Sequence, residues 1–156
     1  DRGLADKWYP YEESVRVPLV VRDPRLPPAR RGSTLSQLAL NLDVAPTLVA
    51  AAGLPVPAVM QGQDLGPLYL AATPPAWRDE FFYEHPTITS KDRIPSSQGV
   101  MRKDWKYIEW PEFDYQQLFD LREDPGEIRN LAGEPAHAGR RMEMRKELDV
   151  WRQRVR

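Results

Sequence analysis

The rhythm of apolar and polar positions changes partway along the chain. In the first half, apolar residues come in short runs broken by proline and glycine. Val17-Pro-Leu-Val-Val21 is such a run, β-branched and without alternation, which predicts a strand buried on both faces. Pro18 suits only the start or edge of that strand. Leu38 to Leu42 alternates enough to predict another short strand. Asp43 then reads as an N-cap, with Pro46 in the first helical turn and Gly53 as the stop. Val44, Leu48, Val49 and Ala52 fall between them at helical spacing. Residues 54–75 read as an irregular connection.

The second half changes character. Phe81–Glu84, Gln98–Arg102, Trp105–Trp110 and Gln117–Leu121 predict four strands, with Lys103-Asp104 as a tight turn between the second and third. Asp124-Pro-Gly126 is a turn signal, in which proline fixes φ and glycine permits positive φ. From about Pro135 to Val155 the period is helical, with Met142, Leu148, Trp151 and Val155 as the expected apolar stripe. The pattern therefore predicts an α/β piece over residues 1–75, followed over 76–156 by a small four-stranded antiparallel sheet packed on a C-terminal helix.

Composition narrows the functions open to such a chain. The 16 prolines exclude a long helical bundle. Charges nearly cancel, at a net −1, so no global field draws in nucleic acid or an anionic membrane. No apolar stretch approaches the ~20 residues that a membrane-spanning helix needs. The absence of cysteine removes disulfides, thiolate metal sites and a cysteine nucleophile from these residues. The opening Asp1-Arg2-Gly3 carries no initiating Met, which reads as the start of a cut chain.

No complete catalytic constellation is present. The two histidines, His85 and His137, do not stand at metal-ligand spacing, and neither H-E-x-x-H nor G-x-S-x-G occurs. The densest polar segment is residues 1–16. Within it Glu12, Glu13 and Arg16 read as structural, because charged groups buried near a strand start tend to be paired. Trp105, Tyr107, Trp110 and Phe119 read as core rather than as a sugar-stacking platform. The basic run from Arg140 to Arg156 is interleaved with Glu143, Glu147 and Asp149, as on a solvated helix face. His137, at the polar start of that helix, reads as exposed.

Four segments, in order, resemble the sulfatase family of the alkaline-phosphatase-like superfamily. They are Asp6-Lys-Trp-Tyr-Pro-Tyr-Glu-Glu-Ser-Val-Arg-Val-Pro-Leu-Val-Val21, Asp43-Val-Ala-Pro-Thr-Leu48 with Ala52-Gly53, Gln61-Gly-Gln-Asp-Leu65, and the pair Gly99–Ile108 and Leu118–Leu131. The resemblance implies that residues 1–75 end the superfamily's α/β sheet and that 76–156 form its C-terminal subdomain. It implies hydrolysis of a sulfate ester, with a formylglycine nucleophile and a calcium ion in the full-length enzyme. The C/S-x-P-x-R and metal-binding motifs do not occur here, so the resemblance implies no cofactor held by this chain, and no turnover by it alone. One family active-site lysine maps to Lys7, as a catalytic and substrate-binding donor to the sulfate. His85, in Tyr-Glu-His, is the second substrate-binding candidate. The implied partners are a sulfate-ester substrate and the missing N-terminal sulfatase portion, and the chain by itself is expected to self-associate. Two alternatives stay open: a phosphate or phosphonate monoester hydrolase fragment of the same superfamily, and a non-catalytic binding or assembly module. The compartment is left open, with the resemblance leaning to an exported bacterial enzyme.

Overall fold

A computed structural model describes residues 7–155. They form two compact units, one made of the chain through Leu19 together with Glu80 onward, the other of Val20–Asp79.

The first unit is built on an antiparallel meander in the order β1-β2-β3-β4. The strands are β1 (Glu80–His85), β2 (Ser97–Arg102), β3 (Trp105–Trp110) and β4 (Tyr115–Asp120). All four strands predicted from the sequence are present. Register follows the pleat, with Val100 opposite Tyr107 and Tyr107 opposite Leu118, so these three share one face. That face packs on α4 (Ala138–Arg154) through Met144 and Leu148, with Phe82, Trp105 and Trp151 at its margin.

The stripe of α4 differs from the expectation. Met142 is 65% exposed and Val155 53%, whereas Met144 is fully buried. Met142 and Leu148 lie six residues apart, which turns the helix about 240° and cannot make one face; Met144, Leu148 and Trp151 are spaced by 4 and 3 and do. His137 is likewise not free of the fold, since its ring packs 6.0 Å from that of Trp105.

The opposite face of the sheet carries Ile108, Trp110 and Phe119, and the N-terminal segment covers it through Tyr9 and Tyr11. Tyr107, Trp110 and Phe119 are all buried, as expected of core aromatics. After Tyr11 the chain makes one helical turn, α1 (Glu12–Val15).

In the second unit α2 (Val44–Ala51) and α3 (Gly66–Leu70) are the helical elements beyond short 3-10 turns. Gly53 ends α2 with φ +74°, the left-handed stop that glycine supplies without strain. Asp43 precedes α2, but its carboxylate does not cap that helix. It is fully buried and gathers the unit instead. It accepts from the backbone N–H groups of Leu40 (2.7 Å) and Gln63 (2.8 Å), and both terminal guanidinium nitrogens of Arg78 donate to it.

Two predicted strands do not form. Val17–Val21 is extended but unpaired, and Leu38–Leu42 runs into a 3-10 turn. The residues of the first are open to solvent, Val20 at 90% and Leu19 at 51%. A β-branched run makes a strand only where a neighbour takes its N–H and C=O groups, and no described residue pairs with it.

Candidate functional site

The two candidates, Lys7 and His85, lie far apart in sequence, but the first unit brings their surroundings together. His85 ends β1 opposite Ser97 on β2. On the face that the N-terminal segment covers, Trp8 stands edge-on to its ring at 5.8 Å, in a T-shaped contact. The hydroxyl of Tyr83, two residues earlier on the same face, points at the backbone oxygen of Trp8 at 3.5 Å. Burial raises the pKa of Tyr83, so it stays a neutral donor. Lys7 immediately precedes Trp8, and its side chain is exposed. The Nδ1 atom of His85 is buried and has no hydrogen-bond partner. Such an atom is costly to leave unpaired.

The loop that follows His85 is held in place. Its Ile88 and Ile94 form an isolated antiparallel bridge, and Tyr9 donates its hydroxyl to the Arg93 carbonyl at 2.9 Å. Glu112, after β3, accepts from the Thr87 hydroxyl and from the backbone N–H (2.9 Å) and hydroxyl (2.7 Å) of Ser96. The hydroxyl of Thr87 and then that of Ser96 hold the Glu112 carboxyl below its ordinary pKa. The edge near His85 is thus lined by a loop held in place and by Trp8, which Lys7 precedes in the chain.

Behind this edge lies an ion-pair network that the sequence did not single out. Lys106 is fully buried on β3 and its Nζ lies 2.7 Å from Glu12, 2.6 Å from Glu127 and 2.9 Å from the Pro10 carbonyl. Glu127 in turn accepts from the backbone N–H of Glu12 at 2.7 Å. Burial pushes the Glu127 carboxyl up from its ordinary pKa, and the Lys106 charge pulls the other way. Glu12 is structural, as expected. The signal for Lys106 was its place in Trp-Lys-Tyr-Ile-Glu-Trp. A strand buried on both faces puts this lysine on the same side as Ile108 and Trp110.

The turn that carries Glu127 departs from the expected chemistry. The left-handed residue is Glu127 itself, at φ 51°, and not Gly126. A side chain rarely adopts that conformation unless its surroundings hold it there, and here the carboxylate is gripped by Lys106.

The basic residues of α4 are largely engaged on the other face. Arg152 pairs with Glu109 (2.7 Å) and Asp149 (3.0 Å), and Arg140 pairs with Glu143 (2.7 Å). Arg102 on β2 joins Glu80 (3.2 Å), Glu143 (3.1 Å) and Glu147.

The family described as N-sulphoglucosamine sulphohydrolase, C-terminal, matches residues 1–154. An N-acetylglucosamine-6-O-sulfatase of Bacteroides thetaiotaomicron is 32% identical over 96% of this chain and 27% of its own length. Arylsulfatase K of Xenopus laevis is 31% identical over 80% of this chain and 24% of its own. Among solved structures, BT4656 in complex with its substrate D-glucosamine-2-N,6-O-disulfate superposes with a TM-score of 0.84. It is 31% identical, over 95% of this chain and 30% of that one. The chain spans about a quarter of the length of these curated relatives.

Proposed function

The chain belongs to the N-sulphoglucosamine sulphohydrolase C-terminal family of sulfatases, and from that membership we propose that it is the substrate-side portion of a sulfuric ester hydrolase. The observation that supports the reading is the meeting of Trp8, the residue after Lys7, with the His85 ring at the end of β1. Lys7 donates hydrogen bonds and positive charge to the sulfate and to the bridging ester oxygen, where charge builds as the S–O bond breaks. A lysine suits this role because its ammonium is a compact, strongly hydrated point charge. His85, at the end of β1, contacts the sulfated substrate from the sheet side.

The attacking group comes from elsewhere in the full-length enzyme. These residues include no cysteine and no C/S-x-P-x-R sequence. Formylglycine belongs with that upstream motif. We assign calcium to residues outside this chain as well; among the described residues there is no group of three His, Asp or Glu side chains that could hold a metal ion. A sulfated amino sugar is the substrate class to assay first, given the 32% identical relative that is an N-acetylglucosamine-6-O-sulfatase.

The test uses the full-length gene product with 6-O-sulfated N-acetylglucosamine and 4-nitrophenyl sulfate. Lys7→Ala lowers kcat/KM on both by about 10²-fold, the scale of losing one charge-stabilising donor. A Lys7→Ala enzyme with wild-type kcat/KM overturns the role of Lys7. Hydrolysis of a phenylphosphonate ester with no action on either sulfate overturns the sulfate assignment.

A further inference from the structure

A buried lysine is an expensive way to fasten a loop to a sheet. The position of Lys106 adjoins Ile108, Trp110 and Phe119, and an apolar side chain of similar length would dock there with no charge to desolvate. What a lysine adds is direction. Its ammonium has three donors, and three oxygens surround it: Pro10 O at 2.9 Å, Glu12 Oε1 at 2.7 Å and Glu127 Oε1 at 2.6 Å. Two of those three belong to the N-terminal segment, which is fixed a second time where the Glu12 N–H meets Glu127. The strained backbone of Glu127 shows that this grip is held at a cost.

We propose that Lys106 is a positioning residue for the sulfate-contacting lysine, fixing Pro10 and Glu12 on the sheet and thereby the place of Lys7 beside His85. The inference rests on the reading of Lys7 given above. Only Trp8 and Tyr9 separate Lys7 from Pro10, a reach of at most about 10 Å. Both intervening side chains are also seated, Trp8 on His85 and Tyr9 on the Arg93 carbonyl. A shift at Pro10 therefore passes to Lys7 with little slack. The Arg102 network offers a built-in comparison. There a basic side chain also bridges several carboxylates, but Arg102 joins β1 and β2 to α4 on the opposite face from the N-terminal segment.

The experiment is a double-mutant cycle in the full-length enzyme with 4-nitrophenyl sulfate, with melting temperature recorded for every variant. Lys106→Met lowers kcat/KM roughly ten- to a hundredfold, the scale expected when a catalytic group is displaced by about 1 Å. In a Lys7→Ala background the same change lowers it by less than about twofold, because the group being positioned is gone. Arg102→Met lowers the melting temperature but leaves kcat/KM within about twofold. Where Lys106→Met yields no folded protein, the cycle is run with Glu127→Gln, which keeps an acceptor for the Glu12 N–H and weakens the grip. Equal losses in both backgrounds, or an Arg102→Met loss as large as that of Lys106→Met, overturn the positioning role. Wild-type kcat/KM in Lys7→Ala alone overturns the underlying reading instead, so the two failures are told apart.

Discussion

Replacing Asp43 with Asn removes one negative charge from a fully buried position and hardly changes the volume. Four N–H donors converge on this carboxylate: those of Leu40, Gln63 and two from Arg78. An Asn amide supplies one oxygen, and its NH₂ group turns donors toward donors. It also leaves Arg78, whose side chain is only 14% exposed, without its counter-charge. Breaking a buried ion pair from one side costs about 3–5 kcal/mol. The residual exposure of Arg78 places the expectation at the lower end, about 3 kcal/mol. Guanidinium denaturation of the purified chain measures that loss, and amide exchange at Leu40 and Gln63 locates it. The dependence on pH gives an independent check. Burial alone would raise the Asp43 pKa, but the Arg78 guanidinium and the N–H groups of Gln63 and Leu40 outweigh it and bring the carboxyl below its ordinary value. The unfolded chain binds the proton more readily, so this stabilisation is complete above the unfolded pKa of about 3.9 and disappears as pH falls through the lower folded-state value. Asp43→Asn therefore flattens part of the acid limb of the stability curve. A loss below about 1 kcal/mol, or an acid limb of unchanged slope, refutes the account.

Further outcomes follow from packing. Leu148→Ala on α4 empties a fully buried site in the core beneath Val100 and Tyr107 and costs about 2–5 kcal/mol, measured by the same denaturation. Gly62→Ala puts a methyl group 1.9 Å from the Leu42 carbonyl oxygen; backbone has to move, and we expect a loss of at least about 3 kcal/mol, with a lowered melting temperature as the readout. The chain alone, purified without the rest of a sulfatase, shows no turnover of 4-nitrophenyl sulfate. It also self-associates in light scattering, since Val17, Leu19, Val20 and Val21 are 45–90% exposed, and Val20→Lys reduces that association.

The sheet was legible in the sequence because each strand alternates between two covered faces, and β2 to β4 carry their large apolar residues at matching parities. The site was legible only through resemblance. Nothing in the sequence says that Trp8, the neighbour of Lys7, meets His85, because that depends on how residues 8–11 lie across strands that follow much later. The strand expected at Val17–Val21 was misread for a related reason. Apolar runs report that a segment can pair, and no described residue pairs with this one. Lys106 and Glu127 escaped notice because charged residues are ordinarily surface residues, and only the two-sided burial of β3 makes this one an interior group. The α4 stripe was missed by an angle alone: Met142 and Met144 are equally apolar, and two positions separate the solvent side from the core.

The cover that residues 9–12 lay over β3 and β4 also sets an order of events during synthesis. These residues leave the ribosome well before their partners, with Pro10 and Lys106 separated by 96 positions. Until β4 and the Glu127 turn emerge, Tyr9, Tyr11 and Glu12 have nothing to close upon, and a long loop has to be gathered when they do. Residues 9–12 are therefore among the last of the described residues to reach their native places. In a growing polypeptide the arm bearing Lys7 stays open to chaperones and proteases until the sheet is nearly complete.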